Sequence, residues 1–274
     1  MILEESNLFK QEYLEPLLGD MYVIKSMHIC STDRGNPARR KRFWAVLCHR
    51  ESVTKVWGSM TNVIPLFYRA CEVSWEVFMI AEDEEQLKDE IENELRWAIA
   101  RPKSGAAGMT VEEVMQHPHP WRLALNPCER RHREFYIANQ EPGCCNMLNQ
   151  NPERERGISS TPYVLHTILK NPGLHFSEKP RCQKGDRWFT MSEVLVSQGF
   201  PVVSRLGNVG GKPARCCSFC PGGKLTSSDR KRQIAQSQAG NSMNLSVSGI
   251  VTLYAIIFVQ RADQARVVQW FRPL

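Results

Sequence analysis

The sequence predicts an α/β chain, and three observations carry that prediction. Residues 21–29 (MYVIKSMHI) and 42–48 (RFWAVLC) are rich in β-branched and aromatic side chains and are joined by the polar stretch 31–41, which makes an antiparallel hairpin. Between 82 and 101, Leu87, Ile91 and Leu95 recur every four residues before Pro102, which is a helical period with a helical stop. Residues 245–259 form a largely apolar stretch long enough for a buried helix.

The remaining elements follow in order. Phe9, Tyr13 and Leu17, with Leu14 and Leu18 beside them, predict a helix over 9–18 that Gly19 stops and that Pro16 ends a turn early. Residues 73–80 read as a strand. Eight acidic residues on the 82–101 helix read as its solvated face. Thr110 and Glu113 make a capping box for a short helix closed near Pro118 and Pro120. The Pro-, Gly-, Asn- and Arg-rich stretch 141–160 reads as a long loop. Thr190 and Glu193 cap a second short helix that ends at Gly199. Residues 206–229 form a basic Gly/Ser loop, 230–237 a helix and Gly240-Asn241-Ser242 a turn.

Composition bounds the function. The 274 residues are 42% hydrophobic and 23% charged, enough for a core and against wholesale disorder. No apolar run approaches the ~20 residues of a membrane span, and the acidic first ten residues lack the basic and apolar regions of a signal peptide. Ten cysteines without a secretory signal indicate reduced thiols, so a nuclear or cytoplasmic setting is expected, the nucleus first. Charge is uneven: residues 152–274 hold 17 Lys/Arg against 7 Asp/Glu, and the first 151 hold 18 against 22. The basic back half fits a nucleic-acid partner, and a solvated basic surface is the competing reading.

Few motifs survive inspection. Cys217 and Cys220 have zinc-ligand spacing but no second pair; His117, His119 and the Cys144–Cys145 pair are distant, so no metal is expected. The Gly207–Lys212 stretch lacks the Ser or Thr and the leading strand of a phosphate loop. Arg39-Arg-Lys-Arg42 is denser. Arg40 and Arg42 alternate onto one face of an extended chain, a geometry suited to a carbonyl, carboxylate or phosphate. A nuclear-import patch and a solvated loop are the alternatives.

Three segments, in order, resemble the cytosine-5 methyltransferases. Gly35-Asn-Pro-Ala-Arg-Arg-Lys-Arg-Phe-Trp-Ala-Val-Leu47 is similar to their motif VIII, a Gly-x-Pro turn, Gln-x-Arg-x-Arg and a strand. Arg187-Trp-Phe-Thr-Met-Ser-Glu-Val-Leu-Val-Ser-Gln-Gly-Phe-Pro201 resembles motif IX, and Gln238-Ala-Gly-Asn-Ser-Met243 resembles motif X. Ile2-Leu-Glu-Glu-Ser6 falls where the family carries Glu-Asn-Val, its motif VI. Ala38 stands in place of the motif VIII Gln, and Ser192 in place of the motif IX Arg.

The resemblance implies an incomplete S-adenosylmethionine-dependent, Rossmann-like sheet with an antiparallel edge hairpin, interrupted by a target-recognition-like region. Residues 1–50 would belong to the core, 51–186 to the recognition region, and 187–274 to motifs IX and X with a return helix. It implies that Glu4 hydrogen-bonds a flipped cytosine, that Arg40 and Arg42 contact the base, and that Asn241 and Ser242 lie against S-adenosylmethionine. Arg187, Glu193 and Gln198 would be scaffolding. The family's glycine loop and Pro-Cys nucleophile loop precede motif VI and have no counterpart in order here; Asn126-Pro127-Cys128 falls inside the recognition region. The expectation is therefore a DNA methyltransferase-like chain, inactive alone, its missing half supplied by a partner chain or a missing exon. A non-catalytic nucleic-acid-binding module and a relative acting on RNA cytosine are the rival readings.

Overall fold

The computed structural model describes residues 1–79, 85–141, 143–153, 162–167, 174–176, 187–200 and 243–261. Its strands are β1 (Ile2–Glu5), β2 (Tyr22–Cys30), β3 (Lys41–His49), β4 (Val53–Val56), β5 (Cys145–Met147), β6 (Leu174–Phe176), β7 (Arg187–Trp188) and β8 (Val259–Arg261). The chain forms two compact units, Met1–Glu72 with Met243–Leu274, and Val73–Ser242. Among the described residues no helix is long and apolar enough to cross a membrane.

The first unit is built on β3. The predicted hairpin is present: β2 and β3 pair antiparallel from Tyr22↔His49 to Cys30↔Lys41. A strand that the pattern did not predict, β1, pairs antiparallel with the other edge of β3, so the order is β1-β3-β2. Residues 43–48 are all buried. Side chains alternate along a strand, so Trp44, Val46 and Cys48 enter one core with Ile29, Met60, Val247, Val251 and Tyr254. Phe43, Ala45 and Leu47 enter another with Leu14 and Ile24, joined by Phe9 and Leu18.

Both covers of this sheet differ from expectation. The predicted 9–18 helix is a 3₁₀ turn, Gln11–Tyr13, followed by one α-turn, Glu15–Leu18, with Pro16 in its first turn. There the absent N–H costs nothing, so the proline starts a helix instead of ending one. Leu14 turns inward while Leu17 is 74% exposed. The apolar run does form a helix, Leu245–Phe258, but only Val247, Val251 and Tyr254 are buried; Ile256 and Ile257 face outward. Beyond it β8 pairs antiparallel with β4, a pair the sequence reading also missed.

The second unit is mainly helical. Helices Glu85–Ala100, Val111–Gln116, Pro120–Ala124 and Pro127–Asn139 enclose Leu95, Ala98, Val114, Trp121, Leu125 and Tyr136. Three helices begin with reciprocal caps: Thr110 with Glu113, as predicted, Asn126 with Glu129, and Thr190 with Glu193, as predicted. Residues 73–80 hold no strand among their described members. Ser74 caps a 3₁₀ turn, Trp75–Phe78, whose three-residue period turns Trp75 and Phe78 inward together. The acidic helix is not wholly solvated, since Glu94 is buried and Glu90 accepts from the Ser192 backbone N–H and hydroxyl. The expected 141–160 loop contains β5, which pairs with β6, itself paired with β7.

Arg187 closes this unit. Its guanidinium donates two bonds to Glu193, 2.7 Å to Oε2 and 2.6 Å to Oε1, with both side chains at or below 2% exposure. Glu193 Oε2 also accepts the Thr190 N–H at 3.0 Å, tying the pair to the helix Met191–Ser197. Truncating one member strands a buried charge. Glu193→Ala is therefore expected to lower the unfolding free energy by about 3–5 kcal/mol, read by urea denaturation. The double change Arg187→Met with Glu193→Leu should cost less.

Candidate functional site

Register brings the three predicted base-contacting residues together. Glu4 lies directly opposite Trp44 across the β1–β3 ladder, so its side chain shares the face of Trp44. Counting back along β3 by twos gives Arg42 and then Arg40 on that face. Arg42 Nε lies 3.6 Å and Arg40 Nε 3.9 Å from Glu4 Oε1. The cationic run thus splits by alternation: Arg39 and Lys41 are exposed, Arg40 is 3% exposed and Arg42 22%. The solvated-loop reading fails for Arg40.

The connection 31–41 is shaped to return Arg40 inward. Ser31–Asp33 is a 3₁₀ turn whose Asp33 carboxylate accepts the Cys30 N–H at 3.1 Å. The Ser31 hydroxyl donates to the Ala38 carbonyl, and Asn36 Oδ1 accepts the Ala38 N–H at 2.9 Å. Gly35 holds φ +74°, with the Ala70 carbonyl 3.4 Å from where a Cβ would stand, so another side chain there would be strained. Ala38, which replaces the motif VIII Gln, is itself buried. Sequence reading missed Ser31 and Asn36 as shaping residues; the Asn-Pro turn signal was the available clue.

The electrostatics are those of an unfinished charge cluster. Burial pushes the Glu4 carboxyl above the ordinary carboxylate range, and Arg40 and Arg42 offset this only in part. Burial likewise lowers Arg40 to about 10, helped by Arg42 and opposed by Glu4, so Arg40 remains a cation at neutral pH. Glu4 Oε1 is buried and accepts no hydrogen bond from any described residue. An acceptor left this way costs about 1–3 kcal/mol until a donor reaches it.

Asn241, Ser242, Cys217 and Cys220 lie outside the described residues. Asn244, unmarked by the sequence reading, caps the Leu245–Phe258 helix through Oδ1, which accepts from the Val247 N–H and the Ser246 hydroxyl. An Asn just before an apolar run is an N-cap signature and could have been found. Its Nδ2 is buried with no partner among the described residues. Among the described residues no His, Cys, Asp and Glu cluster could hold a metal. A cavity of about 600 Å³ in the same unit, lined by His49, Ser52, Thr252 and Ile256, includes none of Glu4, Arg40 or Arg42.

No protein-family model and no curated protein matches the chain. Solved structures give a distant likeness. The methyltransferase EhMeth of Entamoeba histolytica is 12% identical with a TM-score of 0.44, over 92% of this chain and 61% of its own. Dnmt2 methyltransferase of S. pombe is 14% identical, and a triple mutant of Spodoptera frugiperda DNMT2 13%. Both give a TM-score of 0.44 over 93% of this chain and 66% of theirs. The chain thus spans less than two thirds of the length of these structures, to which it bears a remote resemblance in fold.

Proposed function

We propose that the chain recognises an unpaired or extruded cytosine in nucleic acid, as part of a cytosine-5 methyltransferase-like protein, with Glu4, Arg40 and Arg42 as the base site. One observation carries this reading: a buried carboxylate oxygen, held between two guanidiniums, that accepts no hydrogen bond among the described residues. Cytosine supplies what is missing. Its 4-amino group is a donor, and its O2 and N3 are acceptors on the same edge. Glu4 Oε1 would accept from the amino group while Arg42, the more exposed guanidinium, donates to an acceptor. Arg40 is too buried to leave and acts by holding Glu4. A base reaches such a site only out of the stack, so unpaired or mismatched cytosines are favoured.

The motif resemblance assigns the remaining parts. Toward S-adenosylmethionine, which supplies a methyl group when bound, the Asn244 amide fits an anionic group. Its Nδ2 is a buried donor at the start of a 14-residue helix, whose free N–H groups favour negative charge. Asn241 and Ser242 would join it. Methyl transfer at C5 also needs a nucleophile at C6, and this reading names none in the chain. Purified chain with labelled S-adenosylmethionine and cytosine-containing DNA or RNA is therefore expected to incorporate no label above a heat-killed control.

Base choice tests the site. Oligonucleotides differing only by cytosine or uracil at one unpaired position, as DNA and as RNA, are compared by fluorescence anisotropy. Uracil presents an acceptor where cytosine presents the amino donor, so the carboxylate should disfavour it by about 1–3 kcal/mol. Glu4→Gln should bind both bases alike, because an amide can turn to donate or accept. Equal binding of the two bases by the unaltered protein would defeat the reading, and the arm that binds identifies the polymer.

The same variant reports the charge cost. A carboxyl whose value is raised on folding contributes stability that is fully present below the ordinary carboxylate range and is lost as pH climbs through the raised value. Burial raises Glu4 in this sense. Glu4→Gln should therefore gain stability over the unaltered protein as pH rises toward neutral, and lose that advantage in acid. Thermal unfolding across pH checks this.

A further inference from the structure

We propose that Cys128 and His132 form a thiol–imidazole pair that makes Cys128 a site of reversible mixed-disulfide formation with a small anionic disulfide such as glutathione disulfide. Cys128 is the second residue of the helix Pro127–Asn139 and is exposed. His132 follows four residues on, the spacing that places two side chains on one helix face. Cys128 Sγ lies 3.5 Å from His132 Nε2.

The imidazole is set for one role. His132 is buried, and its Nδ1 lies 2.8 Å from the Leu148 carbonyl oxygen. A carbonyl only accepts, so Nδ1 carries the proton and the Nε2 lone pair of the neutral ring faces the sulfur. That is a nucleophile, a base and a third group that orients the base. Surroundings favour negative charge on the sulfur during attack. Cys128 sits in the first turn of a 13-residue helix, where the backbone N–H groups point outward. Arg131, three residues on, is exposed. The adjacent Glu129 is committed to Arg101, whose Nη2 donates to it at 3.0 Å. The other described thiols lack this setting: Cys30 and Cys71 are half-buried, Cys145 is buried, and burial pushes Cys48 and Cys144 up.

The step balances. The Cys128 proton passes to His132 Nε2, the thiolate attacks one sulfur of the disulfide, and a new S–S bond forms as the old one breaks. The departing thiolate takes the proton from His132. Cys128 is oxidised to the mixed disulfide and the other half of the reagent is reduced to a thiol. A small thiol in excess reverses it.

The full chain is incubated with glutathione disulfide, and the rate at each cysteine is followed by site-resolved mass spectrometry. Cys128 should react faster than Cys30 and Cys71 by on the order of tenfold or more. His132→Asn keeps an amide donor toward the Leu148 carbonyl but removes Nε2. It should slow Cys128 by on the order of tenfold and leave Cys30, Cys71 and thermal stability unchanged. Equal rates at the three cysteines, or an unaltered Cys128 rate in His132→Asn, would overturn the proposal. Should that variant not fold, the rate at Cys128 against those at Cys30 and Cys71 in the unaltered chain decides, and equal rates overturn the proposal.

Discussion

Strand β3 is buried on both faces, and the first unit depends on that double burial. A strand that fills two cores must be apolar at every step, which residues 43–48 are, and must be paired on both edges, which β1 and β2 provide. Pairing with β1 then fixes the position of Glu4. A one-residue slip would turn every side chain of β1 to the opposite face. With Leu3 packed on one side and Ile2 on the other, the slip would exchange an apolar contact for a buried carboxylate. The core thus sets the register, and the register sets the site.

How far this was legible in the sequence depends on range. The hairpin, the capping boxes at Thr110 and Thr190 and the helix from residue 245 were read from local chemistry, because caps and strand runs are decided within a few residues. What failed was decided by distant partners. The period of Phe9, Tyr13 and Leu17 is helical, yet burial falls on Phe9, Leu14 and Leu18 because the chain must follow the β3 surface. Trp75 lies in the stretch that reads as a strand, while Ser74 and a bond from Trp75 Nε1 to the Gly143 carbonyl fix a turn. β1 and β8 are only four and three residues long, and each exists through pairing with a strand far away or out of order. Glu4, Arg40 and Arg42 were named by resemblance, and alternation alone predicted that the two arginines share a face. That Glu4 reaches them is a fact of register, which no local pattern encodes.

The buried ion pairs of the chain separate structural pairs from a site. Arg187 meets Glu193 through two short, parallel bonds, and the same carboxylate completes a helix cap. Arg101 meets Glu129 at both oxygens between the rings of Trp97 and Trp188, and Glu129 caps its own helix at Asn126. In both pairs bidentate bonds fill the two carboxylate oxygens and offset the desolvation of the charges. The Glu4 cluster, in which Arg42 is 22% exposed, has a different geometry. Its two contacts lie at 3.6 and 3.9 Å, both to one oxygen, and both cations approach through Nε. Attraction at that range holds the carboxyl in place without giving Oε1 a hydrogen bond among the described residues. Glu193 and Glu129 each accept at both oxygens, whereas Glu4 Oε1 accepts no hydrogen bond among the described residues, and that difference is one of bond geometry, since all three carboxylates face arginines.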